Sequence, residues 1–242
     1  MRQVLRVVEQ PRPCSYLPDE TASLEYRIVQ QLAPDEYEDY LARGYRRFGR
    51  QLFRPHCPSC LQCESIRVLA QEFHPSASQR RTLRRNSHVR PVRDRVFLSD
   101  AHLGLYHRYH LYMAEHRGWS YDEVTRADYY ESFVSGSGEF AWQWLFYKDD
   151  DLIGVALMDE TPNAVSLVYF FHEPQWRPDS PGTFAALTQL NYAREQGKQF
   201  CYPGYLIEAN QSMAYKRRFR PFEKLISQPD SGEQPEWRLP AG

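Results

Sequence analysis

The chain has 242 residues, of which 42% are hydrophobic, 14% aromatic and 25% charged, and its formal net charge is -1. This composition excludes a disordered chain. The net charge is too close to zero to attract a polyanion, so a nucleic-acid contact must use a local basic patch. The sequence contains neither 18 consecutive apolar residues nor an apolar leader, which predicts a soluble cytoplasmic protein. Five cysteines, some at C-x₂-C spacing, then favour reduced thiols over disulfides.

The first third of the chain has the patterns of short strands and one helix. Residues 4–8 and 23–30 are predicted strands, and the second, SLEYRIVQ, alternates apolar with charged side chains. A helix is predicted over 34–43, because Pro34 and two acidic residues open it and Gly44 follows it.

Helical patterns dominate the middle of the chain. A basic helix is predicted in SASQRRTLRRNSH, a long amphipathic helix from Ser99 to about Arg117 with Gly118 as its stop, and a shorter helix over about 125–134. The aromatic run YHRYHLYM falls in the long helix, where helical spacing favours a core face over a base-stacking surface. The residues interpreted as core are Leu105, Tyr109, Tyr112 and Met113. The histidines interpreted as surface or hydrogen-bonded core residues are His102, His107 and His110.

The second half has a more regular order of elements. FAWQWLFYK, LIGVALMDE and AVSLVYFFHE predict three strands in meander order, followed by the helix TFAALTQLNYAREQG, the strand QFCYPGYL and the helix NQSMAYKRRF. The order β-β-β-α-β-α on a mostly antiparallel sheet is that of the GNAT acyltransferase fold, an analogy of fold alone. We therefore predict an α+β protein. Residues 1–95 form an N-terminal α/β module with the cysteines and the basic helix, and residues 96–242 form a GNAT-like domain.

Three cysteines, Cys57, Cys60 and Cys63, stand three residues apart in one predicted loop. With Cys14 as the candidate fourth ligand, they could offer four thiolates to tetrahedral zinc or to an iron–sulfur cluster, and His56 could replace one of them. Three ordinary buried cysteines are the alternative, because no second C-x₂-C pair completes a zinc ribbon. The remaining cysteine, in a predicted strand, is interpreted as core or pocket lining.

Two basic clusters are candidate phosphate-binding surfaces. In SQRRTLRRN, helical spacing aligns Arg80 with Arg84 and Arg81 with Arg85 in two adjacent rows. Like charges repel at this spacing, and phosphates would neutralise guanidinium groups with matching bidentate geometry. A solvated helix face with acidic neighbours is the alternative. The second cluster consists of Lys216, Arg217 and Arg218, with Arg220 close behind. Two such clusters on a nearly neutral protein predict a confined anionic partner, such as one limb of an RNA.

Long motifs stand in order over about residues 12–225. They are CSYLPDETASLEYRIV, GYRRFGRQLFRPHCPSCLQCESIRV, FHPSASQRR with LRRN, LVYFF, PGTF with AL, and PGYLIEANQSMAYKRRFRPFE. Together they resemble the bacterial aspartate/glutamate leucyltransferases, relatives of the arginyl-tRNA–protein transferases. The resemblance implies that an aminoacyl-tRNA donates leucine, or arginine, to the α-amine of a protein that begins with Asp or Glu. The new N-terminal residue then marks that protein for degradation through an N-degron pathway.

The resemblance also implies a GNAT-like second half and a metal or iron–sulfur role for Cys14 and the 57–63 loop. Leu17, where eukaryotic relatives carry a second cysteine, and the additional Cys63 depart from their pattern. The type of cluster is therefore left open.

An aminoacyl ester is already activated, so the transfer needs alignment, a route for the ammonium proton and support for the oxyanion, and no cofactor is expected for it. We predict that Glu208 accepts the proton and Tyr205 donates to the oxyanion, with Tyr169 on the neighbouring strand as a further catalytic candidate. Plain core is the alternative for Tyr205. The acidic side chain of the acceptor needs a cationic pocket. The candidates for that pocket are Arg46, Arg47 and Arg220, and the alternative is surface arginines.

Two other functions stay open on the sequence. An acyl-CoA-dependent N-acyltransferase of the GNAT type would hold the pyrophosphate in a glycine-rich turn, whereas the turn here, EPQWRPDSPGTF, contains a single glycine. A non-enzymatic, metal-stabilised RNA-binding module would explain the cysteine loop and the arginine helix. It would leave the acyl-transfer half unexplained.

Overall fold

The structure, a computed structural model, describes residues 2–136, 138–230 and 232–240, with the backbone alone for residues 2–4. Its strands are β1 Arg2–Val8, β2 Arg12–Pro13, β3 Thr21–Ala22, β4 Leu24–Gln31, β5 Arg46–Phe48, β6 Gln51–Pro55, β7 Glu64–Leu69, β8 Val89–Arg95, β9 Ala141–Lys148, β10 Asp151–Glu160, β11 Ala164–His172, β12 Phe200–Tyr202, β13 Tyr205–Leu206, β14 Phe222–Leu225 and β15 Trp237–Arg238. Its α-helices are α1 Pro34–Ala42, α2 Ala77–Arg85, α3 Asp100–Arg117, α4 Arg126–Tyr129 and α5 Pro181–Glu195. Two 3₁₀-helices, Pro174–Asp179 and Ala214–Arg218, and a π-helical turn, Tyr130–Val134, complete the helical segments.

The small sheet has the strand order β1-β4-β6-β5, with antiparallel neighbours throughout. The alternation predicted for β4 is present, but its fully buried face carries Glu25, Arg27 and Val29. Glu25 tolerates burial because its carboxylate accepts hydrogen bonds from the Tyr45 hydroxyl at 2.6 Å and from Arg54 Nε at 3.0 Å. This sheet therefore buries charge on the face that would ordinarily be apolar.

The large sheet has nine strands. Eight of them follow the order β15-β14-β7-β12-β11-β10-β9-β8, and the ninth, β13, pairs with β7 beside that path. Strands β9, β10 and β11 form the predicted antiparallel meander, α5 follows, and β12 then pairs in parallel with β11. The predicted α+β class, with a mostly antiparallel sheet flanked by helices, is confirmed. The predicted last helix is wrong in type, since Ala214–Arg218 is a single 3₁₀ segment.

Strands from both predicted domains share this sheet. β7 lies between β12 and β14, and β8 pairs with β9 along its edge. The sheet is thus continuous across the predicted boundary between residues 95 and 96, and the division into domains stays a prediction.

Helices cover both faces of the large sheet. Val155 and Leu157 of β10 pack in the same cluster as Leu105 of α3, whereas Met158 packs in the cluster that contains Leu187 of α5. Adjacent residues of a strand point to opposite faces, so α3 and α5 lie on opposite sides of the sheet. The predicted boundaries of α3 are confirmed, because Ser99 caps its start and Gly118, with φ of 67°, ends it. Among the described helices, none combines the length and the apolar character that a bilayer crossing requires.

Candidate active site

Strands β11 and β12 separate shortly after they meet. Their parallel pairing extends from Ala164–Phe200 to Ser166–Tyr202, after which β11 continues to His172 while β13 pairs with β7. Pro203 and Gly204 lie at this break, and Gly204 has φ of 94°, a conformation that glycine adopts without strain. Parallel strands that separate at their carboxyl ends leave a crevice, which is a common place for ligand binding.

A β-bulge shapes the β11 side of this crevice. Leu157 pairs with Tyr169 and Met158 with Leu167, so Val168 is the extra residue of the bulge. Bulges redirect neighbouring side chains, and the Tyr169 hydroxyl lies 2.8 Å from Nε2 of His110 on α3. Burial raises the pKa of Tyr169, which is therefore a neutral phenol.

Arg46, on β5, is a buried cation whose charge is not compensated. Its side chain lies between the rings of Tyr202 and Tyr205, 5.3 and 5.5 Å from their centroids, and Nη1 donates to the Tyr45 carbonyl at 3.1 Å. Nε and Nη2 are buried without a hydrogen-bond partner in the part of the chain that the structure describes. Desolvation of an unpaired guanidinium is costly, so these two nitrogens favour an incoming anion.

Lys216 is a second buried cation beside Arg46. Only 7% of this residue is exposed, and Nζ donates to the Tyr205 carbonyl at 2.9 Å and lies 3.5 Å from Met213 Sδ. Burial, with a smaller contribution from the Arg46 guanidinium, lowers the pKa of Lys216 to about 7. Between residues 2 and 240, as far as they are described, no carboxylate forms an ion pair with either cation. The sequence predicted Lys216 as a surface ligand of tRNA, and burial removes it from that surface.

The three predicted catalytic residues are held by different partners. The Tyr205 hydroxyl donates to the Gly44 carbonyl at 3.0 Å and its burial raises its pKa, which favours the core alternative stated above. Glu208 is exposed, with Oε1 3.8 Å from Lys224 Nζ. Tyr169 lies on the α3 side of the sheet.

Arg47 and Arg220 do not form a common cationic pocket with Arg46. Arg47 binds Asp159 with both ends of its guanidinium, at 2.9 and 2.6 Å, in a fully buried ion pair. Its charge is already matched, so the structure assigns it to stability rather than to the acceptor. Arg220 is exposed and its Nε donates to the Arg217 carbonyl at 3.3 Å.

Arg220 and Glu208 both line a basic surface cavity of about 570 Å³. Its lining residues are Glu208, Arg217, Arg220, Phe222, Lys224, Ile226, Arg238, Leu239 and Pro240. Two of its cations are paired, Lys224 with Glu64 and Arg238 with Glu236. The cavity therefore has a modest positive charge that suits an exposed phosphate better than a buried carboxylate.

The arginine helix adjoins the second basic cluster. Ser76 caps α2 in a capping box with Gln79, whose Nε2 donates to the Arg218 carbonyl at 3.2 Å. Leu83 packs against the core as predicted. The guanidinium-bearing residues exposed along this surface are Arg80, Arg81, Arg84, Arg85, Arg217 and Arg218. The structure thus brings the two predicted clusters onto neighbouring elements.

The four predicted metal ligands lie in one neighbourhood. Burial, with smaller contributions from the nearby Cys57, Cys14 and Cys60 thiols, raises the pKa of Cys63 to about 12. Cys57 Sγ donates to the Ser23 carbonyl at 3.7 Å. Within the described ranges, no three His, Cys, Asp or Glu side chains are arranged to hold a metal ion. Binding of zinc or an iron–sulfur cluster stays a prediction, and no chemical step is derived through a metal. Cys201 is buried, as interpreted.

His110 is a functional candidate that the sequence did not indicate as such. It was interpreted as a surface or hydrogen-bonded core residue, and it is indeed buried and hydrogen-bonded. Its partner Tyr169 lies 59 residues away in sequence. Only the packing of α3 on the bulged strand brings the two together, and no local spacing signals such a pair.

The sheet order is the one predicted for a GNAT-like acyltransferase fold, and the buried Arg46 and the adjoining arginine surface suit anionic partners. The family matches define the class as a transferase. The chain belongs to the arginine-tRNA-protein transferase family: the model of the family's N terminus matches residues 12–81 and that of its C terminus matches residues 101–226. The predicted resemblance is thereby confirmed.

Curated relatives match over nearly the whole chain. One from Helicobacter hepaticus, named aspartate/glutamate leucyltransferase, is 35% identical over 238 residues, 97% of this chain and 99% of the relative. Another of the same name, from Pseudoalteromonas atlantica, is 38% identical over 91% of this chain and 94% of its own.

Among solved structures, the C-terminal DUF2156 domain of an Agrobacterium fabrum lysylphosphatidylglycerol synthetase candidate covers 80% of this chain and 64% of that chain, with 15% identity and a TM-score of 0.49. At that score the likeness carries no functional argument.

Proposed function

We propose that this protein transfers leucine from leucyl-tRNA to the N-terminal α-amine of proteins that begin with Asp or Glu. Family membership supports transfer from an aminoacyl-tRNA to a protein, and the relatives named leucyltransferases support leucine over arginine. The new N-terminal leucine would mark the acceptor for degradation. The cytoplasm, where charged tRNA is made, is the proposed location.

The observation that carries the acceptor specificity is the buried Arg46 guanidinium, whose Nε and Nη2 have no partner among the described residues, with the buried amine of Lys216 beside it. An Asp or Glu side chain placed between them would receive hydrogen bonds from the free guanidinium nitrogens and from Nζ. Charge-assisted bonds of this kind contribute about 1.5–3 kcal/mol each. A neutral side chain would leave the Arg46 guanidinium desolvated and unpaired, so the subsite selects against it.

The exposed arginines of α2 and of the 217–220 segment are proposed to bind tRNA phosphates. Phosphate contacts position a nucleic acid without reading its bases, which suits an enzyme that uses the acceptor end of the molecule. Alignment of a primed ester with an amine can itself contribute about 7–11 kcal/mol. An α-amine, with an ordinary pKa of about 7.7–8.0, is partly unprotonated near neutrality.

A transfer assay tests this proposal directly. Purified protein is incubated with leucyl-tRNA, arginyl-tRNA or acetyl-CoA and with peptides that differ only in a first residue of Asp, Glu, Asn or Ala. We expect leucine to be added to the Asp and Glu peptides, and the Asn peptide is the matched control because it differs from Asp in charge rather than in size. Transfer from acetyl-CoA, or equal transfer to the Asn peptide, would contradict the proposal.

A further inference from the structure

Tyr169 and His110 form a directed hydrogen-bond chain beside the crevice. Nδ1 of His110 lies 2.8 Å from the Tyr106 carbonyl, which can only accept, so Nδ1 carries the ring proton. Nε2 therefore has a free lone pair, and the Tyr169 hydroxyl, at 2.8 Å, must donate to it. The lone pairs of the Tyr169 oxygen remain available to a further donor.

The surroundings of His110 keep it neutral and fixed in orientation. The Tyr106 ring stacks on it at a centroid distance of 3.8 Å, and the rings of Tyr121 and Trp119 lie at 5.5 and 6.2 Å. Burial lowers the pKa of His110, and the nearby His107 lowers it further. A neutral imidazole with one free nitrogen can accept a proton at neutral pH.

The ring of Tyr169 packs against the strand that carries Arg46 of the proposed acceptor subsite. Phe48, two residues after Arg46 on β5, packs against Tyr169 at a centroid distance of 6.2 Å, and β5 contacts β11 along this edge. With its acidic side chain at Arg46, a peptide that extends along β5 toward Phe48 would bring its α-amine into the region that the Tyr169 ring borders.

We propose that Tyr169 and His110 form the proton relay of the transfer reaction. Tyr169 is the catalytic residue that contacts the attacking amine. His110 is the residue that positions Tyr169 and accepts its proton. This inference rests on the proposed function. It also replaces the predicted proton acceptor Glu208, whose carboxylate is exposed and near Lys224.

The step balances without a co-reactant. The neutral α-amine attacks the ester carbonyl carbon, and a carbon–nitrogen bond forms. The proton that the nitrogen loses passes to the Tyr169 oxygen as the Tyr169 proton passes to His110 Nε2. The carbon–oxygen bond to the ribose then breaks, and the relay runs in reverse to protonate the departing ribose oxygen. Peptide and free ribose hydroxyl are the products, and both relay residues return to their starting state.

Three variants and one control test the relay by steady-state kinetics with leucyl-tRNA and an Asp peptide. Tyr169→Phe removes the hydroxyl, His110→Ala removes the acceptor, and His110→Gln keeps a hydrogen-bond acceptor near Nε2 that cannot take up a proton. The matched control is His116→Gln, an exposed histidine on the same helix. Loss of general acid–base catalysis typically costs about 10²–10⁴-fold in rate.

We expect Tyr169→Phe and His110→Gln to lower kcat by about 10²-fold or more with little change in KM, and the double variant Tyr169→Phe/His110→Gln to be no slower than either single variant. Wild-type kcat in Tyr169→Phe, or in His110→Gln, would overturn the relay. Urea unfolding of each variant separates a loss of rate from a loss of fold.

A second measurement needs no activity. Nitrogen NMR of the wild-type His110 ring is expected to show a protonated Nδ1 and an unprotonated Nε2 at pH 7, and the opposite tautomer would overturn the inference. Absence of transfer by the wild-type protein would instead reject the proposed function. The two failures are thus distinguishable.

Discussion

At the scale of the single residue, some buried charges in this protein have a matching partner and others do not. Glu25 and Arg47 each have matched partners, the first in Tyr45 and Arg54 and the second in Asp159. Arg46 stands next to Arg47 in sequence, yet two of its nitrogens have no partner among the described residues. Matched buried charges hold a structure together, whereas an unmatched one is retained at a cost that binding can offset.

Replacement of Arg46 or Arg47 by methionine distinguishes an unmatched buried charge from a matched one. We expect Arg47→Met to lower the free energy of unfolding by about 3–5 kcal/mol, because it leaves Asp159 buried and unpaired. Arg46→Met should leave stability unchanged or raise it, and should lower transfer to Asp peptides by about 10–100-fold in kcat/KM. Urea unfolding and the peptide assay measure the two effects. Equal destabilisation by both substitutions would show that Arg46 is structural.

Glu25 predicts how stability depends on pH. Although burial opposes ionisation, hydrogen bonds from Tyr45 and Arg6 and the charge of Arg54 hold its pKa at about 2, against an ordinary value of 4.5. Its folded pKa is depressed, so this stabilisation is present above pH 4.5 and is lost as the pH falls toward 2. The fall in pKa corresponds to about 3 kcal/mol.

The variant Glu25→Gln is therefore expected to be about 3 kcal/mol less stable than the wild type at pH 7 and nearly equal to it at pH 2. Urea unfolding over this pH range gives the difference, and Glu123→Gln, at an exposed position, is the control. A difference that does not change with pH would assign the effect to packing.

At the scale of the element, the cap and the apolar contacts of helix α2 hold it in place, and its exposed arginines form the candidate phosphate-binding surface. Ser76 and Gln79 start it with a capping box, and Leu83 attaches it to the core. Arg81 and Arg84 are left on the exposed side, with no hydrogen bond or ion pair to any residue that the structure describes. A helix with such a surface stays folded through its caps and apolar contacts while its charges remain free for phosphates.

The double variant Arg81→Ala/Arg84→Ala tests this surface. We expect weaker binding of leucyl-tRNA and a plot of log affinity against log salt that is shallower by about 1–2, because each lost phosphate contact removes about one released counterion. Lys148→Ala, another exposed cation on the β9–β10 turn, is the control. An unchanged salt dependence would place the tRNA elsewhere.

At the scale of the whole molecule, the large sheet joins the two halves of the chain. Without residues 1–95, strands β12 and β14 would lose β7 from between them, and β9 would lose β8 from its edge. Unpaired strand edges in the middle of a sheet expose backbone groups that the fold otherwise satisfies.

The fragment 96–242 is accordingly expected not to fold on its own. Near-ultraviolet circular dichroism and urea unfolding should show no cooperative transition for the fragment, whereas the full chain unfolds cooperatively. A cooperative transition in the isolated fragment would support the predicted boundary at residues 95 and 96.

Local signals in the sequence located most elements. Pro34 and Gly44 bracket α1, and Ser99 and Gly118 bracket α3, because caps and breakers act on the backbone within one turn. They could not indicate that the charged face of β4 is the buried one, since Tyr45 and Arg54, whose hydrogen bonds satisfy Glu25, belong to other segments of the chain.

The sequence by itself determined the family, most of the strands and helices and the two basic clusters, because motifs, periodicity and spacing are properties of neighbouring residues. Only the tertiary structure decided that Lys216 is buried beside Arg46, that Arg47 is neutralised by Asp159, and that His110 binds Tyr169. Each of these depends on contacts between distant segments. Burial and pairing set the charge and the available hydrogen bonds of a side chain, and neither can be read from spacing along the chain.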